Sequence, residues 1–298
     1  MDEELHTLYA DENYMVVPKP IQENSLQNQM VAMGRALVKA KKEMSIEERK
    51  LLVMAMTKIN WTKSENNLVV GLSKLEIAEV MNWTVDSSDR SAKVRLLANR
   101  LAHHSWIEID GKDKDSWQDG FLISGMHSTR GDLYIHFSEQ YRPLLEDLTR
   151  DKDFVTIWAN DIYGFKSVYS YLLFENLRMN CDTRQTNWRD LSTRQLKELF
   201  GIPKDGKGSY MHYDAKKGKS VFDRTNFEQK VLDVAVGEIH DKSQMVKILP
   251  FVGEEATPNK PNKMYEKIKR NGYVVAYRFK YMVNTNQING KSLEEQWQ

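Results

Sequence analysis

The stretch LSTRQLKELFG (residues 191–201) decides the fold, because the chain contains it twice: LSKLEIAEVMN (residues 72–82) follows the same pattern. Each begins with a serine at a helix N-cap, Ser192 or Ser73, and has Gln195 or Glu76 at the third helical position, the signature of a capping box. Each also brackets the cap with an apolar pair, Leu191/Leu196 or Leu72/Ile77, spaced to form a hydrophobic staple. Apolar residues recur at Leu199/Phe200 and Val80/Met81, and Gly201 or Asn82 stops the helix. Two matching helices predict one structural unit used twice.

The surroundings repeat as well. The first copy is followed by a helix expected over about residues 89–104, with Val94, Leu97 and Leu101 inward. The second is followed by a helix opened by an expected capping box, Thr225-x-x-Glu228, with Phe227, Val231, Val234/Ala235 and Ile239 inward. Hairpin patterns come next, pairing WIEID with GDLYIHFS and MVKILPFV with GYVVAYRFKY, with DGKDKDSWQDG and GEEATPNKPNKMYEKIKRNG as polar tips. Helix, helix and hairpin make a winged helix, so the expected fold is α+β, two tandem winged-helix domains. The expected division is an acidic segment 1–23, a first domain 24–150, a second domain 151–283 and a polar tail 284–298.

Before the first copy, Leu26, Met30, Met33 and Leu37 suggest an amphipathic helix, and Ser45-x-x-Glu48 a capping box opening another to about residue 60. The short run NLVVGL reads as a strand. Between the halves, FVTIWANDIYGFKSVYSYLLFENLRMN reads as an aromatic helix that opens the second domain, its rings serving the core.

Composition narrows the function. The 298 residues, 41% hydrophobic and 29% charged, describe a globular chain with a polar surface. Without an apolar run of about 18 residues or a signal-like start, the expectation is a soluble, cytoplasmic protein with no membrane partner. One cysteine, Cys181, permits no internal disulfide. The formal net charge is only +1, yet it is unevenly spread: residues 1–23 hold six acids against Lys19, and residues 260–280 hold seven bases against Glu266. A localised surface for an anionic partner follows, or else a solvated basic face.

The stretch GIPKDGKGSYMHYDAKKGKS (residues 201–220) contains two near-misses to a phosphate-binding loop. Such a loop needs a hydroxyl after its glycine-lysine pair to hold Mg²⁺ and a glycine five residues before that pair's glycine. Gly201, Gly206 and Lys207 are correctly spaced but Gly208 replaces the hydroxyl; Gly218, Lys219 and Ser220 fit, but Tyr213 replaces the first glycine. A helix rather than a strand is expected before Gly201, so nucleotide hydrolysis is not expected.

The duplicated layout offers a better use. The second helix of such a unit enters the DNA major groove, where Asn and Gln suit adenine and Arg suits guanine. Asn226, Gln229, Lys230 and Asp233 form a polar face opposite the apolar stripe, with Arg224 and Thr225 at the helix start. Lys216, Lys217, Lys219 and Ser220 lie just before, placed for phosphates. Lys267, Lys269 and Arg270 lie in the second wing. In the first domain Arg95, Asn99 and His103 share a face, with Arg90, Ser91 and Lys93 near its start; that face suits a second stretch of DNA or a second subunit.

These residues carry a resemblance. GFKSVYSYLLFENL, LSTRQLKELFGI and FEQKVLDVAVGEIH, with the opening NSLQNQMVAMGRALVKAKKEMSIEERKLLVMAMTKI, resemble the replication initiators of iteron-containing bacterial plasmids, the Rep_3-type family, over about residues 25–281. The resemblance implies two tandem winged-helix domains and binding of directly repeated origin DNA by the monomer. It also implies a homodimer, formed through the first domain, in equilibrium with the monomer and repressing the initiator's own gene. Opening of an A·T-rich segment without cofactor or nucleotide hydrolysis, and recruitment of the host replication initiator and replicative helicase, complete the set. Gln229 and Lys230 replace an arginine pair of the family pattern, Asp233 a basic residue and His240 an asparagine, which bears on the bases read.

Other functions leave different marks. A rolling-circle initiator needs a His-x-His metal pair and a nucleophilic tyrosine; His103 and His104 are adjacent, about 100° apart on a helix, and Tyr169 and Tyr171 belong to the apolar helix. No metal is expected. A transcriptional repressor acting as a dimer on a palindrome would use the same domains, and a DNA-independent interaction protein would show no salt-dependent DNA affinity.

Overall fold

The computed structural model describes residues 30–34, 44–59, 67–84, 86–110, 117–146, 154–181, 186–202, 211–214, 219–251 and 263–283. Strand β1 (Met30–Gly34) is followed by helix α1 (Ile46–Met56), β2 (Val69–Ser73), α2 (Lys74–Val80) and α3 (Ser87–His103). Then come β3 (Trp106–Asp110), β4 (Trp117–Phe121), β5 (Ile123–Ser128), β6 (Asp132–Phe137) and a 3₁₀ turn, Glu139–Leu144. β7 (Phe154–Trp158), α4 (Ala159–Gly164) and α5 (Val168–Met179) link the halves. The second half runs β8 (Asn187–Ser192), α6 (Thr193–Leu199), β9 (Met211–Asp214), β10 (Lys219–Phe222) and α7 (Arg224–Phe227). A π-helical turn (Glu228–Leu232) leads to α8 (Asp233–Lys242), β11 (Val246–Ile248), β12 (Glu266–Arg270) and β13 (Tyr273–Val283).

The duplication is visible in backbone detail. Ser192 and Gln195 form the full capping box of α6; Ser73 caps α2 through the Leu75 N–H at 3.2 Å, one residue earlier than its counterpart. Leu72, Ile77, Leu191 and Leu196 are all buried, as staples require. Both helices end identically: Asn82 (φ 55°) and Gly201 (φ 62°) turn left-handed, and the next amide reaches back five residues, Trp83 N to Ala78 O and Ile202 N to Lys197 O, each 2.9 Å. These are matching Schellman caps. The expected helices at Ile46 and Ser87 also form, the first with its capping box and the second with Val94, Leu97, Ala98 and Leu101 buried.

Each half has an antiparallel sheet. In the first the order is β2-β6-β5; in the second, β13 pairs with β8, β11 and β12. Apolar residues on the inner faces, such as Leu133, Ile135 and Phe137 or Tyr277, Phe279 and Tyr281, alternate with more exposed ones and pack into a core that runs through both halves.

Several expectations are corrected. Residues 30–34 are a strand, not helix: Val31, Ala32 and Met33 are consecutive and all buried, as a strand covered on both faces requires, and β1 pairs with β7 from Met30↔Trp158 to Gly34↔Phe154. Leu26 and Leu37 lie outside the described residues. The linking segment is therefore not one helix. Its β-favouring start FVTIW takes the strand, and extended backbone at Phe165 and Ser167 separates α4 from α5.

WIEID pairs with Trp117–Phe121 rather than with GDLYIHFS, because the nearer run supplies an edge-to-face partner, Phe121, for Trp106, with ring centroids 5.0 Å apart. GDLYIHFS pairs with β2 and β5 instead, so the first wing turns at residues 129–131. The second wing is also shorter than expected: β12 is a strand, and the turn is Asn271-Gly272, with φ 52° and 80°. Both central residues are left-handed, as a type I′ hairpin turn needs.

Candidate nucleic-acid interface

The helix that carries the expected DNA-reading face starts at a different cap. Asp223, not Thr225, is the N-cap: its Oδ1 accepts the Asn226 N–H at 3.0 Å and its Oδ2 accepts the Asn226 side-chain amide at 2.7 Å. Thr225 is exposed, and Glu228 faces inward, 9% exposed. There Glu228 accepts the Tyr277 hydroxyl at 2.9 Å and a close bond from Lys267 Nζ. The earlier acid caps the helix because the later one holds the hairpin.

The π-helical turn changes which residues face out. Its extra residue widens the buried stripe to Phe227, Val231, Leu232, Ala235, Val236 and Ile239, and turns Val234, expected inward, to 40% exposure. Gln229 and Lys230 point to solvent. Asp233 is exposed but accepts the Tyr265 hydroxyl at 2.8 Å. Burial first, and then the facing carboxylate, raises the pKa of Tyr265 and Tyr277, so both phenols remain proton donors. Arg224 is half-buried, its Nη2 donating to the Val274 carbonyl at 3.2 Å.

Three side chains thus stitch the helix to the second wing: Arg224, Glu228 and Asp233. These bonds hold helix and hairpin in fixed register. At the hairpin end Lys269, Arg270 and Tyr273 are exposed, Tyr273 at 72%. Lys267, expected on the DNA, is occupied by Glu228. Lys216 and Lys217 lie outside the described residues; Lys219 and Ser220 lie on β10, opposite Asp214 and Tyr213 of β9. The β10 end is held where the Lys197 ammonium sits 3.6 Å from the Phe222 ring centroid; burial, then Arg224, lowers the Lys197 pKa.

In the first half Arg95, Asn99 and His103 share an exposed face of α3, as the spacing requires. Arg90 and Ser91 are half-buried at its start, and Lys93 Nζ lies 5.6 Å from the Trp83 ring centroid. His104 is paired with Glu48, Nδ1 to Oε1 2.9 Å. Tyr171 is buried and Tyr169 packs edge-on against Phe200, both core residues as expected.

Two further exposed candidates escaped the sequence. Tyr273 sits just past the Asn-Gly turn, a position whose exposure depends on where β12 ends. Arg130 tips the first wing, where buried Lys74 donates to the Thr129 carbonyl at 2.6 Å and fixes the turn from below. The T-R-G-D turn between two alternating runs was its available signal.

Comparison with known proteins agrees with this architecture. The family model of the first winged-helix domain (WH1) of the initiator replication protein matches residues 30–178, and that of the second winged-helix domain (WH2) matches residues 192–281. No curated protein matches. A solved structure of the Pi initiator protein in complex with iteron DNA is similar at 16% identity and a TM-score of 0.63, covering 87% of this chain and 99% of that one. A structure of domains 2 and 3 of RctB aligns at 10% identity and a TM-score of 0.44, covering 82% and 84%. No described helix is long and apolar enough to cross a membrane.

Proposed function

This chain belongs to the initiator replication protein family, and from that premise we propose that it starts plasmid replication by binding directly repeated origin DNA. The observation that carries the reading is a helix with Gln229 and Lys230 exposed, tied through Glu228 and Asp233 to a wing whose end exposes Lys269, Arg270 and Tyr273. The helix enters the major groove and reads bases through Gln229 and Lys230; Thr225 and Arg224 lie at the groove edge, Arg224 also holding the wing. Lys219 and Ser220, with Lys216 and Lys217, contact the phosphates that fix its register. The Pi initiator's complex with iteron DNA supports the choice of repeated DNA as ligand.

The first half serves dimerisation and an auxiliary DNA contact through Arg90, Ser91, Lys93 and Arg95. Binding opens an adjacent A·T-rich segment and brings in the host replication initiator and replicative helicase, and the dimer represses the initiator's gene. The protein works in the cytoplasm without nucleotide hydrolysis.

Replacing Lys230 or Gln229 with alanine is expected to weaken binding to the cognate repeat by about 1–3 kcal/mol, with little change on random DNA. Fluorescence anisotropy at fixed salt measures both, and losses within error for the two variants would show that another element reads the bases. Lys269→Ala and Arg270→Ala together should act on all DNA alike. The salt slope is expected to fall by about 0.9 for each phosphate that the protein no longer neutralises; an unchanged slope would remove the wing from the interface.

A further inference from the structure

The outer face of the second sheet, away from the reading helix, carries an arrangement that DNA binding does not use. Trp188 on β8 is 55% exposed. Lys280, directly opposite it on β13, places its ammonium 5.4 Å from the indole centroid, and the Arg278 guanidinium lies at 5.9 Å. Phe251 meets the indole edge-on at 5.7 Å, and exposed Met282 (48%) extends the apolar area, opposite Lys247 on β11. An exposed tryptophan among apolar neighbours and cations is the composition of a protein-binding hot spot.

The charges discriminate between occupants. Arg278 is already neutralised by a two-pronged pair with Asp190, at 2.7 and 2.8 Å, and lies 3.7 Å from Glu266. Those two carboxylates flank Arg278 across the sheet, on β12 and β8, and would repel a continuous phosphate backbone. Lys280 has no carboxylate partner among the described residues, whereas Lys247 donates to the His240 carbonyl at 3.3 Å and is near enough to act on the Asp161 carboxylate. One or two carboxylates beside an apolar anchor satisfy this face; a string of phosphates does not.

We propose that the Trp188 face docks an acidic protein segment that inserts an aromatic or aliphatic side chain against the indole while a carboxylate beside it pairs with Lys280. The proposal rests on the DNA-binding reading in one respect: the face lies on the opposite side of the sheet from the reading helix, so DNA and partner bind together.

A fluorescein-labelled peptide of glutamates with a central Phe-Phe pair is the probe, titrated by anisotropy into the full chain with and without cognate duplex. Binding is expected in both cases, weakened about tenfold or more by Trp188→Ala, weakened by Lys280→Glu, largely kept by Trp188→Phe and unaffected by Lys230→Ala. Because Trp188 is exposed, its alanine variant keeps the fold, which cognate-DNA affinity equal to wild type verifies. Equal binding of an all-glutamate peptide, or indifference to Trp188→Ala, would overturn the proposal. So would Trp188-dependent capture of oligo(dT), which would make the face a single-strand platform. Peptide binding that disappears when duplex is added would place the peptide in the DNA site instead. Failure of the duplex itself to bind would count against the DNA reading alone, since the peptide titration without DNA stands apart from it.

Discussion

Phe227→Ala lowers stability by about 3–5 kcal/mol, the usual cost of emptying a buried phenylalanine site, and with it the affinity for DNA. Phe227 is fully buried at the point where α7, α6, β10 and the wing meet: its ring centroid lies 5.3 Å from Phe222, 6.2 Å from Phe200 and 6.3 Å from Tyr277. Three separate elements lean on one ring, so none can collapse into the space without moving the others. Against a total stability of about 5–15 kcal/mol the loss is a large fraction. Urea denaturation should show a lower midpoint with the slope retained. A loss under about 1 kcal/mol would mean that the helix is seated by its polar stitches and not by this ring.

Glu175→Ala has an effect of similar size through a different cause. Arg49 on α1 is fully buried, with its Nη1 3.8 Å from Glu175 Oε2, its Nε on the Met44 carbonyl at 3.0 Å and its guanidinium 4.8 Å from the Tyr171 ring centroid. Glu175 also accepts the Tyr171 hydroxyl. Burial, then Glu175, raises the Tyr171 pKa, so this phenol stays a donor. Removing the carboxylate leaves a guanidinium in the core without its counter-charge, at a cost of about 3–5 kcal/mol. The paired change Arg49→Met with Glu175→Leu replaces both charges by apolar groups and should recover most of that loss. A single variant as stable as wild type, measured by denaturation, would show that Arg49 is compensated elsewhere.

What the sequence disclosed and what it hid divide along a physical line. Ser45, Ser192, Leu72 and Leu191 act on residues three to five positions away, so capping boxes, staples and Schellman ends were readable, and their repetition carried the double winged-helix fold. The pairing of Met30–Gly34 with Phe154–Trp158 joins segments more than a hundred residues apart and leaves only a short apolar run as its trace. The π-helical turn at Glu228–Leu232 has no local signature; it moved Val234 outward and took Glu228 from its expected cap to Lys267 and Tyr277. For the same reason the exposure of Gln229 and Lys230 was legible from their helical face, whereas the diversion of Lys267 into an ion pair depended on the register of β12 against β13. Tyr273 and Trp188 are aromatic residues on strands, which composition assigns to the core by default; only sheet topology shows them exposed.

Footprinting the DNA that flanks this protein's own gene, at two salt concentrations and with random DNA as competitor, tests the central claim most directly. The expected result is protection of evenly spaced direct repeats, roughly two helical turns apart, lost with Lys230→Ala at a concentration where wild type still protects. Protection of a single palindrome over the promoter, or none that survives competitor, would contradict it.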